Sequence, residues 1–246
     1  MLNLLIALAV GALVTVLIKL LGFSIWAGVV PGVLALIGSY IFLARRIALK
    51  VQALSKLAEK ELSAQPTSQR ERQQRVEKAI KLLEDGLVYD RWQFLIGSEI
   101  HAQIGMIRYV AEDYPQAEFH LTKASSRNYM AKALHAALHY QRKEYGQMEK
   151  LFEAAVKAGK KEGVVWAAYA WCLGQMKEKE KAMKVMARAV EANPSDEKLK
   201  AGLTALQNGR KQLRMKAFEP MWWQFGLEKP PLQQVPGGRR VQFQRR

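Results

Sequence analysis

The hydrophobic pattern divides the chain into two unequal parts. Residues 2–18 form an apolar run broken only by Asn3 and Thr15, and after Lys19 a second run reaches Ala44 without a formal charge. As a helix rising 1.5 Å per residue, the first run is about 25 Å long, close to the hydrocarbon thickness of a bilayer. A turn near Gly22, Phe23 and Ser24 leaves about 20 residues from Ile25 onward for a second span. The pattern predicts two transmembrane helices, residues 2–21 and 25–44, in a hairpin covering residues 1–46. From Arg45 onward charges appear in nearly every helical turn, as expected of a chain that has passed from lipid into water.

Beyond the membrane the periodicity is helical, and no segment shows the alternation of a strand. Ile47, Leu49, Val51, Leu54, Leu57, Ala58 and Leu62 make a stripe interleaved with Lys50, Lys56, Glu59 and Lys60. The second helix is therefore expected to continue as an amphipathic segment whose stripe lies on lipid or on a partner helix. Residues 63–69 contain Pro66 and read as a break, which places a juxtamembrane helix and linker over residues 47–69 and a domain boundary at its end. After the basic run around Arg70, Arg72 and Arg75, another amphipathic helix is marked by Val76, Ala79, Ile80, Leu83 and Leu87.

The soluble part repeats itself. In residues 163–196, Trp166, Tyr169, Ala170 and Leu173 are followed by Ala182, Met186, Ala189 and Pro194. The same frame, moved back 34 residues to Tyr129, finds Ala136, Met148, Phe152 and Ala155. A further unit begins near Ser98 with Ile104, Gly105, Ala117, Leu121 and Ala124, 31 residues before the next. This pattern resembles the tetratricopeptide repeat (TPR) family, with its W-x2-L-G-x2-Y motif and its period of about 34 residues. Ala170 stands for the motif glycine and Leu173 for its tyrosine, so the small-large logic is kept with different residues. The resemblance covers residues 70–209, as three units plus a capping helix carrying Leu199, Leu203 and Leu206, with Ser195 as its N-cap and Asn208 and Gly209 at its end. The expected fold is all-α: a two-helix transmembrane hairpin followed by a TPR-like α-solenoid.

In that family the first helices of successive units line a concave groove that holds a peptide or a partner helix. The matching positions here are Met106, Tyr109, Met130, Ala133, Ala137, Tyr140, Val164, Ala167 and Trp171. The resemblance implies an apolar or helical protein ligand, because this surface lacks the cationic cluster with which some members clamp a terminal carboxylate. The alternative is that these side chains belong to the core. Residues 210–246 form a tail in which Phe218, Met221, Trp222, Trp223 and Phe225 crowd around Pro220, ahead of Arg239, Arg240, Arg245 and Arg246. Exposed aromatics need cover, from the protein's own groove, the membrane interface or a partner, with self-packing preferred.

Charge sharpens the picture. The formal net charge is +16, which points to phosphate on nucleic acid or on anionic lipid headgroups. The apolar hairpin favours lipid, and the aromatics are not interleaved with basic residues as a stacking platform for nucleic acid requires. Arg45, Arg46 and Lys50 flank the exit of the second span, against Lys19 alone near the loop, so the positive-inside rule places both termini in the cytoplasm of a bacterial inner membrane. Trp26 and Tyr40 suit the two interfaces. A cleaved signal peptide is disfavoured, because no basic residue precedes the first run and no small-x-small site leads into a polar sequence. Gly28 and Gly32, a GxxxG pair around Pro31, serve either packing within the hairpin or a homo-oligomer.

Little in the chain points to catalysis. No phosphate-cradling loop, dinucleotide fingerprint, nucleophile elbow or zincin motif is present, and an enzyme is not expected. Cys172 is the single cysteine and reads as a packing thiol. His135 and His139 share a helix face at i, i+4, but no carboxylate or third ligand accompanies them in that helix, so neither a metal nor a cofactor is expected; His101 and His120 add no pattern. The expectation is a membrane-anchored scaffold that binds partner proteins. The alternatives are a regulatory subunit of a membrane enzyme or transporter complex, or a membrane-tethered nucleic-acid-binding protein.

Overall fold

The computed structural model describes residues 1–210 and 213–228, and all regular structure among them is helical. Two apolar helices, α1 (Leu2–Leu20) and α2 (Ile25–Ser63), fold back on each other around Gly22, whose φ of +88° suits a residue without a side chain. The hairpin closes through small residues. A Cβ added at Gly11 would stand 2.8 Å from the Gly32 carbonyl, and one added at Gly28 would stand 2.9 Å from the Thr15 carbonyl. The Thr15 hydroxyl donates to the Gly11 carbonyl at 3.0 Å and reaches the Gly28 carbonyl at 3.3 Å. Gly28 and Gly32 are therefore buried within the hairpin, and their face is not open to a second copy of the chain. The outward faces are different. Only 17% of the most apolar stretch of α1 and 11% of that of α2 is covered by protein, and both helices are apolar enough to cross a membrane.

Helix α2 does not stop at the end of its apolar stretch. Its second half packs Ile47, Val51 and Ala58 against Ala79, Ile80 and Leu83 of α3 (Gln69–Asp85) and against Ile100 and Ile104 of α4 (Ile96–Val110). The stripe expected to lie on lipid or a partner is thus split. One edge is core of the helical pairs, while Leu49, Leu57 and Leu62 remain exposed. The chain breaks at residues 64–68 as expected, and the Ser68 hydroxyl caps α3 by accepting from the Glu71 N–H at 3.1 Å. That break is a turn inside a packed unit rather than a boundary between domains, since α2 and α3 form one helical pair.

Three further pairs follow: α4 with α5 (Tyr114–Lys123), α6 (Tyr129–Gln141) with α7 (Tyr145–Ala158), and α8 (Gly163–Gln175) with α9 (Lys179–Ala192). Helix α10 (Glu197–Gln207) closes the row. The turn inside each pair is the same device. Glu112, Lys143 and Lys177 adopt φ near +65°, and the next N–H in each case bonds back to the carbonyl of Arg108, His139 or Leu173. These turns fall 31 and 34 residues apart, matching the spacing read in the sequence. The small positions recur at the same intervals. Ala136 and Ala170 are fully enclosed, and a Cβ on Gly105 would come within 2.9 Å of Leu121. The N-cap of α10 is Asp196 rather than Ser195: its carboxylate accepts from the Lys198 and Leu199 N–H groups, which a serine one residue earlier does not reach.

Gly105→Val is expected to lower stability by about 1–3 kcal/mol through overpacking against Leu121. Gly146→Ala, where a Cβ meets nothing within 4 Å, is expected to raise it by about 0.5 kcal/mol. Thermal unfolding followed by circular dichroism in detergent reads both; equal melting temperatures for the two variants would contradict the assigned crossing point.

Candidate functional site

The first helices of the last three pairs touch in series, α4 with α6 and α6 with α8, and together present an inner face. The nine positions carried over from the repeat pattern lie on these helices. Ala133, Ala137 and Ala167 are fully enclosed, and Tyr109, Met130, Val164 and Trp171 are also buried; Met106 and Tyr140 are only partly covered. At Tyr109 and Trp171 the cover includes the chain's own C-terminal segment.

That segment is built from two short 3₁₀ turns, Met215–Phe218 and Met221–Phe225. Leu213, Met215, Phe218, Trp222 and Phe225 are buried in the same core as the inner face. The Trp222 ring meets Trp171 edge-on at 5.2 Å, and Trp171 in turn meets Tyr140 at 5.9 Å. Tyr109 donates its hydroxyl to the Phe225 carbonyl at 2.6 Å and accepts from Gln141 at 3.3 Å. The Trp222 indole N–H donates to Glu228 at 2.9 Å, and Gly226, at φ +58°, turns the chain there. Burial, with Tyr114 and Cys172 nearby, holds the Tyr109 hydroxyl protonated far above its ordinary range, and burial pushes Tyr140 up to about 12. The aromatic knot expected in the tail thus packs on the protein's own groove. The arginines at 239, 240, 245 and 246 lie outside the described residues.

One part of the inner face stays open. A hollow of about 480 Å³ lies between Met106, Tyr129, Met130 and the edge of the C-terminal segment at Met221 and Gln224, rimmed by Glu99 and Arg127. A larger hollow of about 680 Å³ lies between α7 and α9 on the other side, lined by Lys157, Lys160, Lys161 and Arg188 around Trp166. It is an open surface that also includes Ala154, Val156 and Ala192, crossed by the Arg188–Glu153 ion pair at 2.8 Å.

At the base of the hairpin the structure assembles contacts that the periodicity did not reveal. The N-terminal ammonium bonds to the Arg91 carbonyl, the Leu2 N–H donates to the same oxygen at 2.9 Å, and the Asn3 N–H donates to the Trp92 carbonyl at 3.2 Å. Asn3 also donates to the Gln93 side chain, which donates to the Tyr40 hydroxyl at 3.0 Å. The start of α1 is therefore level with Tyr40 and with a segment in which a short 3₁₀ turn, Gly86–Tyr89, exposes Val88 and the loop after it exposes Trp92 and Phe94. Arg45, Arg46 and Lys50 are exposed just beyond, and the Lys50 ammonium stands 5.6 Å from the Tyr89 ring centre. Trp26 is exposed at the opposite end. The only available clue to this loop was two aromatics, Trp92 and Phe94, in a stretch without helical period.

The histidines and the cysteine behave differently. Cys172 is enclosed, and burial raises its thiol well above the ordinary range, so it is a packing group. His101 and His120 face each other through their Nδ1 atoms at 2.9 Å, and burial together with His101 pulls His120 down to about 4. A carboxylate does stand near His135 and His139, though not on their own helix: Glu118 of α5 lies within 4.8 Å of both.

Trp222→Ala is expected to cost about 3–5 kcal/mol, the range for deleting a large buried aromatic, and to make Trp171 fluorescence solvent-quenchable. Unchanged melting and quenching would mean that the segment does not cover the inner face. No protein-family model matches the chain, and comparison with curated proteins and with solved structures finds no match.

Proposed function

We propose that the chain is a bacterial inner-membrane adaptor: a multi-pass hairpin spans the bilayer, both termini face the cytoplasm, and a TPR-like α-solenoid docks a partner polypeptide there. The observation that carries this reading is the continuity of α2, one helix of 39 residues whose first half is bare and apolar and whose second half is core of the helical pairs. Such a helix fixes the height and orientation of the docking platform above the membrane.

The membrane part is supported from several directions. Trp26 and Arg45 are separated by about 28 Å along α2, the thickness of the hydrocarbon core. The aromatic loop with Trp92 and Phe94 lies at the same level as Tyr40, where an interfacial belt belongs. Exposed Arg45, Arg46 and Lys50 then meet anionic headgroups on the cytoplasmic side. The docking part rests on the hollow at Met106 and Met130, because the deeper groove around Trp171 is filled from within. Methionine-lined surfaces of this kind accommodate apolar side chains of varied shape. An apolar peptide or the apolar face of a helix is the ligand it fits best.

Two experiments test this. The enclosed Cys172 makes single-cysteine labelling clean. Phe23→Cys in the inter-helix turn is expected to react with a membrane-impermeant maleimide in intact cells, and Ser195→Cys only after lysis; the reverse pattern would overturn the orientation. For docking, a photo-crosslinking residue at Met106 is expected to give a discrete adduct in native membranes, and the same residue at exposed Lys179 on α9 none. Equal adducts at both positions, or no adduct at Met106, would refute the hollow as the docking point.

A further inference from the structure

The turn from α5 through α6 to α7 gathers side chains of a different chemistry. His135 and His139 stand one turn apart on α6, and their Nε2 atoms face each other at 3.1 Å. Glu118 approaches from α5, so that one donor atom of each of the three lies within 4.8 Å of the others. On the far side of its ring, His139 Nδ1 is hydrogen-bonded to the Glu144 carboxylate. An ionised carboxylate only accepts, so Nδ1 carries a proton in this contact, and in the neutral ring Nε2 is the nitrogen with a lone pair, on the side of His135 and Glu118. His135 is 7% exposed, and burial, then His139 and Lys132, hold it neutral down to about 4.

A hydrogen bond from His135 to His139 also fits a 3.1 Å separation. In that reading the ion pair with Arg142 alone places Glu118 beside the pair, whereas in a metal site the same carboxylate is the third donor. Two nitrogens on a tetrahedral zinc ion, each bonded at about 2.0–2.1 Å, stand roughly 3.3 Å apart, so the rings need to open by only a few tenths of an ångström. Arg142 holds Glu118 Oε2 at 2.7 Å. The cations Arg142 and Lys132 oppose an incoming ion, and the two carboxylates Glu118 and Glu144 offset them.

We propose that His135, His139 and Glu118 form a binding site for a divalent transition-metal ion of the zinc class, with Glu144 orienting His139 from the outer shell. The fourth position is left to water or to a donor from another molecule, because Glu118 lies toward the solvent. Bound there, the ion ties the second helix of one pair to the first helix of the next.

The test uses the full chain in detergent, stripped of metal, with Zn²⁺ titrated against a chromophoric chelator and Co²⁺ absorption as the probe of geometry. One ion per chain is expected, bound more tightly than about 1 µM, with a tetrahedral Co²⁺ spectrum. His139→Gln and Glu118→Gln are expected to lose more affinity than the roughly 10–100-fold that removal of an outer-shell partner costs, and Glu144→Gln to fall within that range. His101→Gln, in the other histidine pair, is expected to bind as the wild type does. Circular dichroism confirms the fold of each variant, and the solvent-facing Glu118→Gln serves if His139→Gln does not fold. Absence of stoichiometric binding by the wild type, or undiminished affinity in folded Glu118→Gln, overturns the assignment.

Discussion

Everything in this molecule hangs on the change of surroundings along α2. Its first half meets protein on one narrow side, where Gly28 and Gly32 let α1 come within van der Waals reach, and is otherwise bare hydrocarbon. Its second half carries Ile47, Val51 and Ala58 into the first layer of the helical pairs. A helix satisfies its own backbone hydrogen bonds, so it is one of the few structures able to pass through both settings without a break. The break instead comes at residues 64–68, after the helix has already been gripped by α3 and α4.

The helical row is held by close approach rather than by charge. Gly105, Ala136 and Ala170 occupy equivalent crossing points, and Phe152 stacks on Tyr169 at 5.1 Å in the last gap between pairs. The ion pairs that join neighbouring helices, such as Lys181–Glu149 and Arg142–Glu118, are solvent-accessible and contribute little each. The net charge of +16 is therefore a property of the surface and of what it meets, not of the fold.

Periodicity was enough to place the two apolar helices, the helical pairs and the end of the capping helix, because each depends on residues close in the chain. The 31- and 34-residue intervals survive in the turns, although Glu112, Lys143 and Lys177 adopt a left-handed conformation that their residue types do not advertise. Three things were not legible. The stripe on α2 showed that something packs there, but its partner, α3 and α4, is set by tertiary geometry. The inner-face positions were placed on helices, yet the contacts of Trp171 with Trp222 and of Tyr109 with Phe225 depend on a tail without period. Glu118 lies on a different helix from His135 and His139, so a search within one helix could not pair them.

The internal occupant of the inner face sets a threshold for anything that approaches it. A segment joined to α10 by a short connection meets its seat at an effective concentration in about the millimolar range, whatever the abundance of the protein. A ligand that sought the same seat would bind only the fraction of chains in which it is vacant, and its apparent dissociation constant would rise by the inverse of that fraction. With Trp222 and Phe225 enclosed there, an apolar peptide would have to displace them before it could occupy that seat.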